Sequence, residues 1–274
     1  MATTGRVKTY AGALKTFLNV APVPAYMFPS SQEKQMDIEA EEDHGNDKPW
    51  HCLPYHILVT ICRFLQERER GKMGAVCRSW REASQNPGLW RSHVFYLYSH
   101  SEAPRGLSWL QARGHNLRHA TVMCLGHFDK PKEQFLRALQ RSDLIDLDLN
   151  GTAYWWSSSG SVTSAGRVMA RIVRLLKTQR QLEGFQMRQA MLDYQTGLGI
   201  LDTLAVSSGS SIVRLGLEDF FGDDLSSSAH AMPQRFAHTI TRFTRLSELT
   251  VNYEYLTDEL LLWFARTDRL GDVT

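Results

Sequence analysis

Residues 143–149 read DLIDLDL, and four other stretches repeat that pattern: NLRHATV at 116–122, QLEGFQM at 181–187, SIVRLGL at 211–217 and RLSELTV at 245–251. In each, the second, fifth and seventh places are apolar, with the small Ala120 as the weakest case. The last two alternate with period two, which is the signature of a strand with one buried face. Between the copies lie apolar residues at spacings of three and four: Phe135, Leu136 and Leu139; Val168, Met169, Ile172, Val173 and Leu176; Phe236, Ile240 and Phe243. Those spacings predict helices. Strand followed by helix, recurring at irregular intervals near 30 residues, predicts a parallel sheet with helices on its outer side.

This pattern resembles degenerate leucine-rich repeats. Thr152, Ala190, Phe220 and Glu254 stand where the repeat consensus usually has Asn or Cys after the strand. The motif restarts at Leu270 and Val273 and then stops, and a repeat needs a neighbour or cap to cover its face. The sequence therefore reads as ending inside a repeat, with Leu260, Leu261 and Trp263 only partly covered. The resemblance implies that the intervening residues line a concave sheet surface: His119, Thr121, Asp146, Asp148, Gln186, Arg188, Arg214, Glu218, Glu248, Thr250 and Asn252. That mixed charge suits a protein partner better than a polyanion.

Ahead of the repeats, LPYHILVTICRFL occupies 53–65, VCRSW occupies 76–80, and Leu89-Trp90 closes the segment. Pro54 fits the first turn of a helix. Ile57, Leu58, Ile61, Phe64 and Leu65 form an apolar face, and Met73, Val76, Cys77 and Trp80 form a second. The linker QERERGKMGA between them, with two glycines, is expected to break or loosen the helix. So short a segment cannot cover two wide apolar faces alone, so some must meet another domain or another protein. The spacing resembles the F-box, in which Leu-Pro is followed by branched apolar residues, Val-Cys-Arg-x-Trp and a closing Leu-Trp. Glu69-Arg70 departs from that pattern, where Asp-Leu is common. The resemblance implies a three-helix module docking on the adaptor Skp1, and through it on a cullin–RING ubiquitin ligase. On it, Leu53, Pro54, Ile57, Leu58, Ile61, Leu65, Val76, Cys77, Trp80 and Trp90 would bind Skp1. F-box only proteins of the type numbered 33 and 39 are the relatives suggested by the irregular repeats.

The expected organisation is an α/β chain: a tail at 1–49, an all-α F-box module at 50–97, and an irregular leucine-rich-repeat-like solenoid at 98–274, with parallel strands and outer helices. The tail mixes prolines with the acidic stretch DIEAEEDHGND and lacks apolar anchors. A weak likeness to a mitochondrial transit peptide is set aside for want of arginine and serine. Lysine and arginine number 31 against 29 acids, a net charge of +2, and no basic block stands out, so no nucleic-acid role is expected. Cys52, Cys62, Cys77 and Cys124 show no paired spacing and read as small apolar side chains in a reducing compartment. No apolar run nears the roughly 20 residues that a bilayer span needs. A soluble protein of the cytoplasm or nucleus is expected, with no membrane contact.

Several residue sets imitate chemical sites. Asp146, Asp148, Asn150 and Gly151 imitate the start of a calcium loop, but its twelfth position is Ser157 where a bidentate Glu is needed. His115, His119, Cys124 and His127 have zinc-like spacing but straddle a strand. Tyr154, Trp155 and Trp156, read as a loop beside a serine run, are candidate recognition anchors, with one or two of them expected in the core. No nucleophile elbow, phosphate loop or dinucleotide glycine pattern occurs. The sequence reads as a non-catalytic substrate receptor without cofactor, whose repeat surface holds an unidentified protein substrate through His119, Asp146, Asp148, Tyr154, Trp155, Trp156, Arg188, Arg214, Glu218 and Glu248. A plain repeat scaffold without a ligase role is the alternative.

Overall fold

The helix that begins at Tyr55 has two apolar sides. Leu58, Val59 and Cys62 turn inward and are buried, while Ile57, Ile61 and Phe64 follow one another on the other side. A computed structural model supplies the coordinates, which describe residues 53–98, 101–126, 128–157, 162–222, 231–266 and 272–273. The side chains at 156–157, 162–165, 231–232 and 272–273 lie outside that set, as do the expected tail, Cys52, His127 and Leu270. All described residues belong to the unit Pro49–Thr274.

Three short helices open it: α1 (Tyr55–Phe64), α2 (Glu67–Met73) and α3 (Arg78–Ser84). The QERERGKMGA linker is therefore largely helix, contrary to the sequence reading. Gln66 and Glu69 form a reciprocal capping box, and the helix ends only at Gly74. Gly71 lies inside it with nothing near its missing Cβ, so its cost is one of backbone entropy alone. Arg70, which departs from the family pattern, binds the group together. Its guanidinium donates to the carbonyls of Cys62 and Leu65 at the end of α1 and to that of Leu89. The Cys62 carbonyl also accepts from the Leu65 N–H, so Arg70 adds a second donor where the helix runs out of its own.

A 3-10 turn at Pro87–Trp90 leads into β1 (Ser92–Leu97). Then follow α4 (Glu102–Arg113), β2 (His119–Cys124), α5 (Lys130–Leu139), β3 (Asp146–Asn150), α6 (Ala153–Ser157), α7 (Val162–Thr178), β4 (Gly184–Arg188) and α8 (Tyr194–Ser208). The chain continues through β5 (Arg214–Leu217), α9 (Ala231–Ile240), β6 (Glu248–Val251), α10 (Asp258–Arg266) and β7 (Asp272–Val273). The seven strands among the described residues pair in sequence order and all in parallel. This is a mixed α/β repeat-like solenoid with a helical segment at its start.

Strand β1 belongs to the sheet although the sequence reading put its residues in the F-box module. Its register sets Ser92 opposite His119, and two residues back Trp90 falls level with Leu117. Trp90, His93 and Phe95 thus stand at the three apolar places of an additional repeat. His93 hides the motif, because a polar ring sits where the others have a hydrophobe. It stacks on Trp109 at 4.2 Å between centroids and hydrogen-bonds Glu67 at 2.7 Å. The closing Trp of the helical segment is therefore also the first core residue of the sheet, and one apolar cluster runs from Leu58 to Phe264.

Where the repeat consensus has Asn, Thr152, Ala190 and Phe220 are all fully buried. Phe220 joins Phe221, Tyr194, Phe236 and Tyr255 in a run of ring contacts at 4.7–6.0 Å. Ring packing does there what a ladder of amide hydrogen bonds does in regular repeats. At the far end, Leu260 is buried rather than partly covered, Trp263 is half-buried, and Leu261 and Leu262 are exposed.

Candidate interaction surfaces

On the helical segment, Pro54, Ile57 and Val76 are exposed and Leu53, Ile61, Leu65 and Cys77 half-buried. Three other expected contact residues face inward: Leu58, Trp80 and Trp90 are buried in the chain's own core. Trp90 donates its indole N–H to the Ser84 carbonyl at 3.0 Å, and the Arg113 guanidinium stands 4.1 Å over its ring. These three shape the surface from beneath and cannot touch a partner, which corrects the sequence reading for them. Two exposed aromatics were missed. Phe64 is 86% exposed on α1, and Tyr55 is about half exposed, its hydroxyl accepting from Asn86 at 2.9 Å. The i, i+3, i+4 spacing put Phe64 on the apolar face but not Tyr55, and it could not say which of two apolar faces turns outward.

The base of this surface is tied to the sheet through Glu67. Its carboxylate accepts from Trp109 and pairs with His93. Burial pushes the Glu67 carboxyl up, but hydrogen bonds from His93 and Trp109 and the charge of Arg113 outweigh it and hold the group below its ordinary value.

The second surface is the face of the sheet away from the helices. Its first row is Ser92, His119, Asp146, Gly184, Arg214, Glu248 and Asp272, aligned strand by strand. The second contains Val94, Thr121, Asp148, Gln186, Gly216 and Thr250. The residues between them, Ala120, Val122, Leu147, Leu149, Phe185, Met187, Leu215 and Leu217, are buried beneath. Asp146 accepts from the Arg214 guanidinium two strands away and meets His119 Nδ1 at 2.6 Å. That reach is possible because Gly184 lies between: a Cβ there would collide with the Asp146 carboxylate. Asp148 pairs with Arg188 at 2.6 Å, leaving its other oxygen buried without a partner. A hollow of about 230 Å³ opens over His119, Asp146, Gly184 and Arg214. Glu218 and Glu248 are exposed at the β5–β6 end, and Asn252 exchanges hydrogen bonds with Asp219. At the β1 end stand exposed Val94, Tyr96 and Tyr98, an aromatic patch the sequence reading did not name.

The aromatic loop divides. Trp155 is fully buried against Phe128 at 5.2 Å between centroids, so it is core and not a recognition anchor. Residues 153–157 form helix α6, and on it this side chain turns into the core. Tyr154 is exposed, and the Trp156 side chain lies outside the described residues. Of the zinc-like set, Cys124 is fully buried on the opposite side of β2 from His119, and burial pushes its thiol well up. Among the described residues no helix is long and apolar enough to cross a membrane.

Comparison with known proteins agrees with both parts of the architecture. Residues 50–96 match the F-box-like family model. F-box/LRR-repeat protein 21 of Mus musculus is 38% identical over 48 residues, covering 18% of this chain and 11% of that protein. The protein of the same name from Ovis aries is 22% identical over 222 residues, which is 78% of this chain and 48% of that protein. The chain therefore spans about half the length, or less, of the curated relatives it matches. An F-box-like segment at residues 50–96 is thus joined through Trp90 to a parallel leucine-rich-repeat-like sheet, and both parts are similar to F-box/LRR-repeat proteins.

Proposed function

We propose that the chain is the substrate-receptor subunit of a Skp1–cullin–F-box ubiquitin ligase. The observation that carries this reading is the second apolar side of α1. Ile57 and Phe64 on α1, with half-buried Ile61 between them, and Val76 at 65% exposed remain outside the chain's own core. Exposed apolar residues concentrated on one short segment mark a protein interface, and a helix face of this kind fits an adaptor that supplies its own helices. Skp1 docks on Leu53, Pro54, Ile57, Ile61, Leu65 and Val76, together with Tyr55 and Phe64. The sheet face away from the helices holds the protein substrate through its charged rows and the Val94–Tyr98 patch. The chain performs no bond chemistry. It acts by raising the local concentration of substrate lysines near a charged conjugating enzyme.

Each large apolar side chain buried at such an interface contributes roughly 1.5–3 kcal/mol. Replacing Ile57 and Val76 together by Glu should abolish co-purification with Skp1 while leaving the melting transition of the repeat sheet intact, since both side chains are exposed. Undiminished Skp1 capture by this folded variant would overturn the ligase reading and leave a repeat scaffold.

A further inference from the structure

No Asp or Glu occurs between Asp148 and Glu183, whereas Arg167, Arg171, Arg174, Lys177 and Arg180 fall in that interval. In sequence they are scattered, and no block is visible. Helix α7 gathers four of them on its outer side, because Val168, Ile172, Leu175 and Leu176 take the side packed in the core. Arg180 follows just beyond its end. Arg171 alone is neutralised: Glu133 of α5 accepts from two of its guanidinium nitrogens at 2.6 and 2.9 Å, and also from Arg137. Arg167, Arg174, Lys177 and Arg180 are exposed and meet no carboxylate among the described residues. Like charges three and four residues apart destabilise a helix, so this arrangement works against the fold unless something answers it.

Clefts flank the ridge on both sides. One of about 300 Å³ lies toward α5, lined by Lys130, Arg137 and Arg167 and also by the acids Asp129 and Glu133, the latter already held by Arg171 and Arg137. The other, of about 770 Å³, lies toward α8, lined by Lys177, Arg180 and Val206, which is 78% exposed. The one acid lining the second cleft, Asp202, is engaged by Arg242.

We propose that the outer face of α7 is a docking surface for an acidic protein segment, rich in Glu and Asp side chains. Three observations select that partner. Glu133 already shows how a carboxylate is held here, by an arginine fork reinforced from a neighbouring helix. No described aromatic is exposed on α7 or α8, so nucleic-acid bases find no stacking platform. The large apolar side chains described on α7 point inward, so the helix offers little to insert into a lipid surface. The surface lies on the helical side of the sheet, so the bound segment leaves the opposite sheet face and α1 accessible. The inference stands independently of the ligase reading.

Fluorescence anisotropy of the full chain with a labelled poly-glutamate peptide tests it, with a single-stranded RNA of equal length as comparator. The peptide should bind at low salt, and the variant Arg167→Glu, Arg174→Glu, Lys177→Glu should bind it about tenfold or more weakly. The milder Gln variant at the same three positions should weaken it in the same direction and covers any folding defect of the first. Arg105→Gln with Arg235→Gln and Arg245→Gln, exposed cations elsewhere, should leave binding unchanged. No binding at low salt, equal weakening by the second triple, or tighter binding of the RNA would each overturn the proposal.

Discussion

Gly184 shows what a single missing Cβ does on this sheet. Without a side chain on β4, the Asp146 carboxylate reaches past that strand to Arg214 on β5. An exposed or half-exposed ion pair is worth about 0.2–1 kcal/mol. A double-mutant cycle of Asp146→Ala and Arg214→Ala should return a coupling in that range, measured by urea unfolding. In a Gly184→Ala background the coupling should vanish, because the new methyl occupies the carboxylate's place. Neighbouring positions separate core from surface. Leu147 is buried, and its replacement by Ala should cost about 2–5 kcal/mol. Asp148→Ala should cost far less, though not the nothing expected of a solvent-facing acid, since Asp148 is partly covered and pairs with Arg188. Alternation in the sequence was enough to say which residues turn inward. It could not say which acid meets which arginine, because Asp146 and Arg214 are 68 residues apart and a glycine lies between.

Helices α1 to α3 and strand β1 are where sequence reading and structure part. Periodicity located α1, but α2 sat in a charged, glycine-containing stretch, and only the pairing of Gln66 with Glu69 marks it as capped. Strand β1 escaped because His93 interrupts the apolar pattern and its partners, Glu67 and Trp109, come from other elements. That junction has a pH signature. A carboxyl whose folded pKa is depressed stabilises the fold above its unfolded value and loses that contribution as pH falls through the folded one. Glu67 should therefore make the urea midpoint fall as pH drops below about 4.5. Glu67→Gln should be less stable at neutral pH and lose part of that slope; an identical slope in both proteins would show that the junction does not depend on this charge. Helix α8 offers a second check. Gly199 has open space around it, so Gly199→Ala should stabilise by roughly 0.5–1 kcal/mol through helix propensity. Gly197 lies against Phe220 and Phe221, and Ala there should instead cost about 1–3 kcal/mol by overpacking the aromatic run. Thermal melts of the two variants should move in opposite directions.

Across the described molecule, a helical segment and a sheet share one core through Trp90, Phe95 and Trp109, whose rings meet at 5.4–6.5 Å. Beginning the chain at residue 98 would remove Trp90 and Phe95 and so uncover Trp109 and Phe135, so a repeat domain begun there should be less soluble than one begun at 53. The two-part organisation was legible from the motif spacings, while this fusion was not, because a shared residue carries the signal of only one motif. The central claim is that the outer side of α1 is covered by Skp1 while the sheet stays open to another protein. Amide hydrogen exchange of the full chain, with and without purified Skp1, tests it most directly. The account predicts added protection over Tyr55–Phe64 and residues 74–78, and no change in β2 to β6. Protection appearing on β2 to β6 instead, or no change anywhere at saturating Skp1, would contradict it.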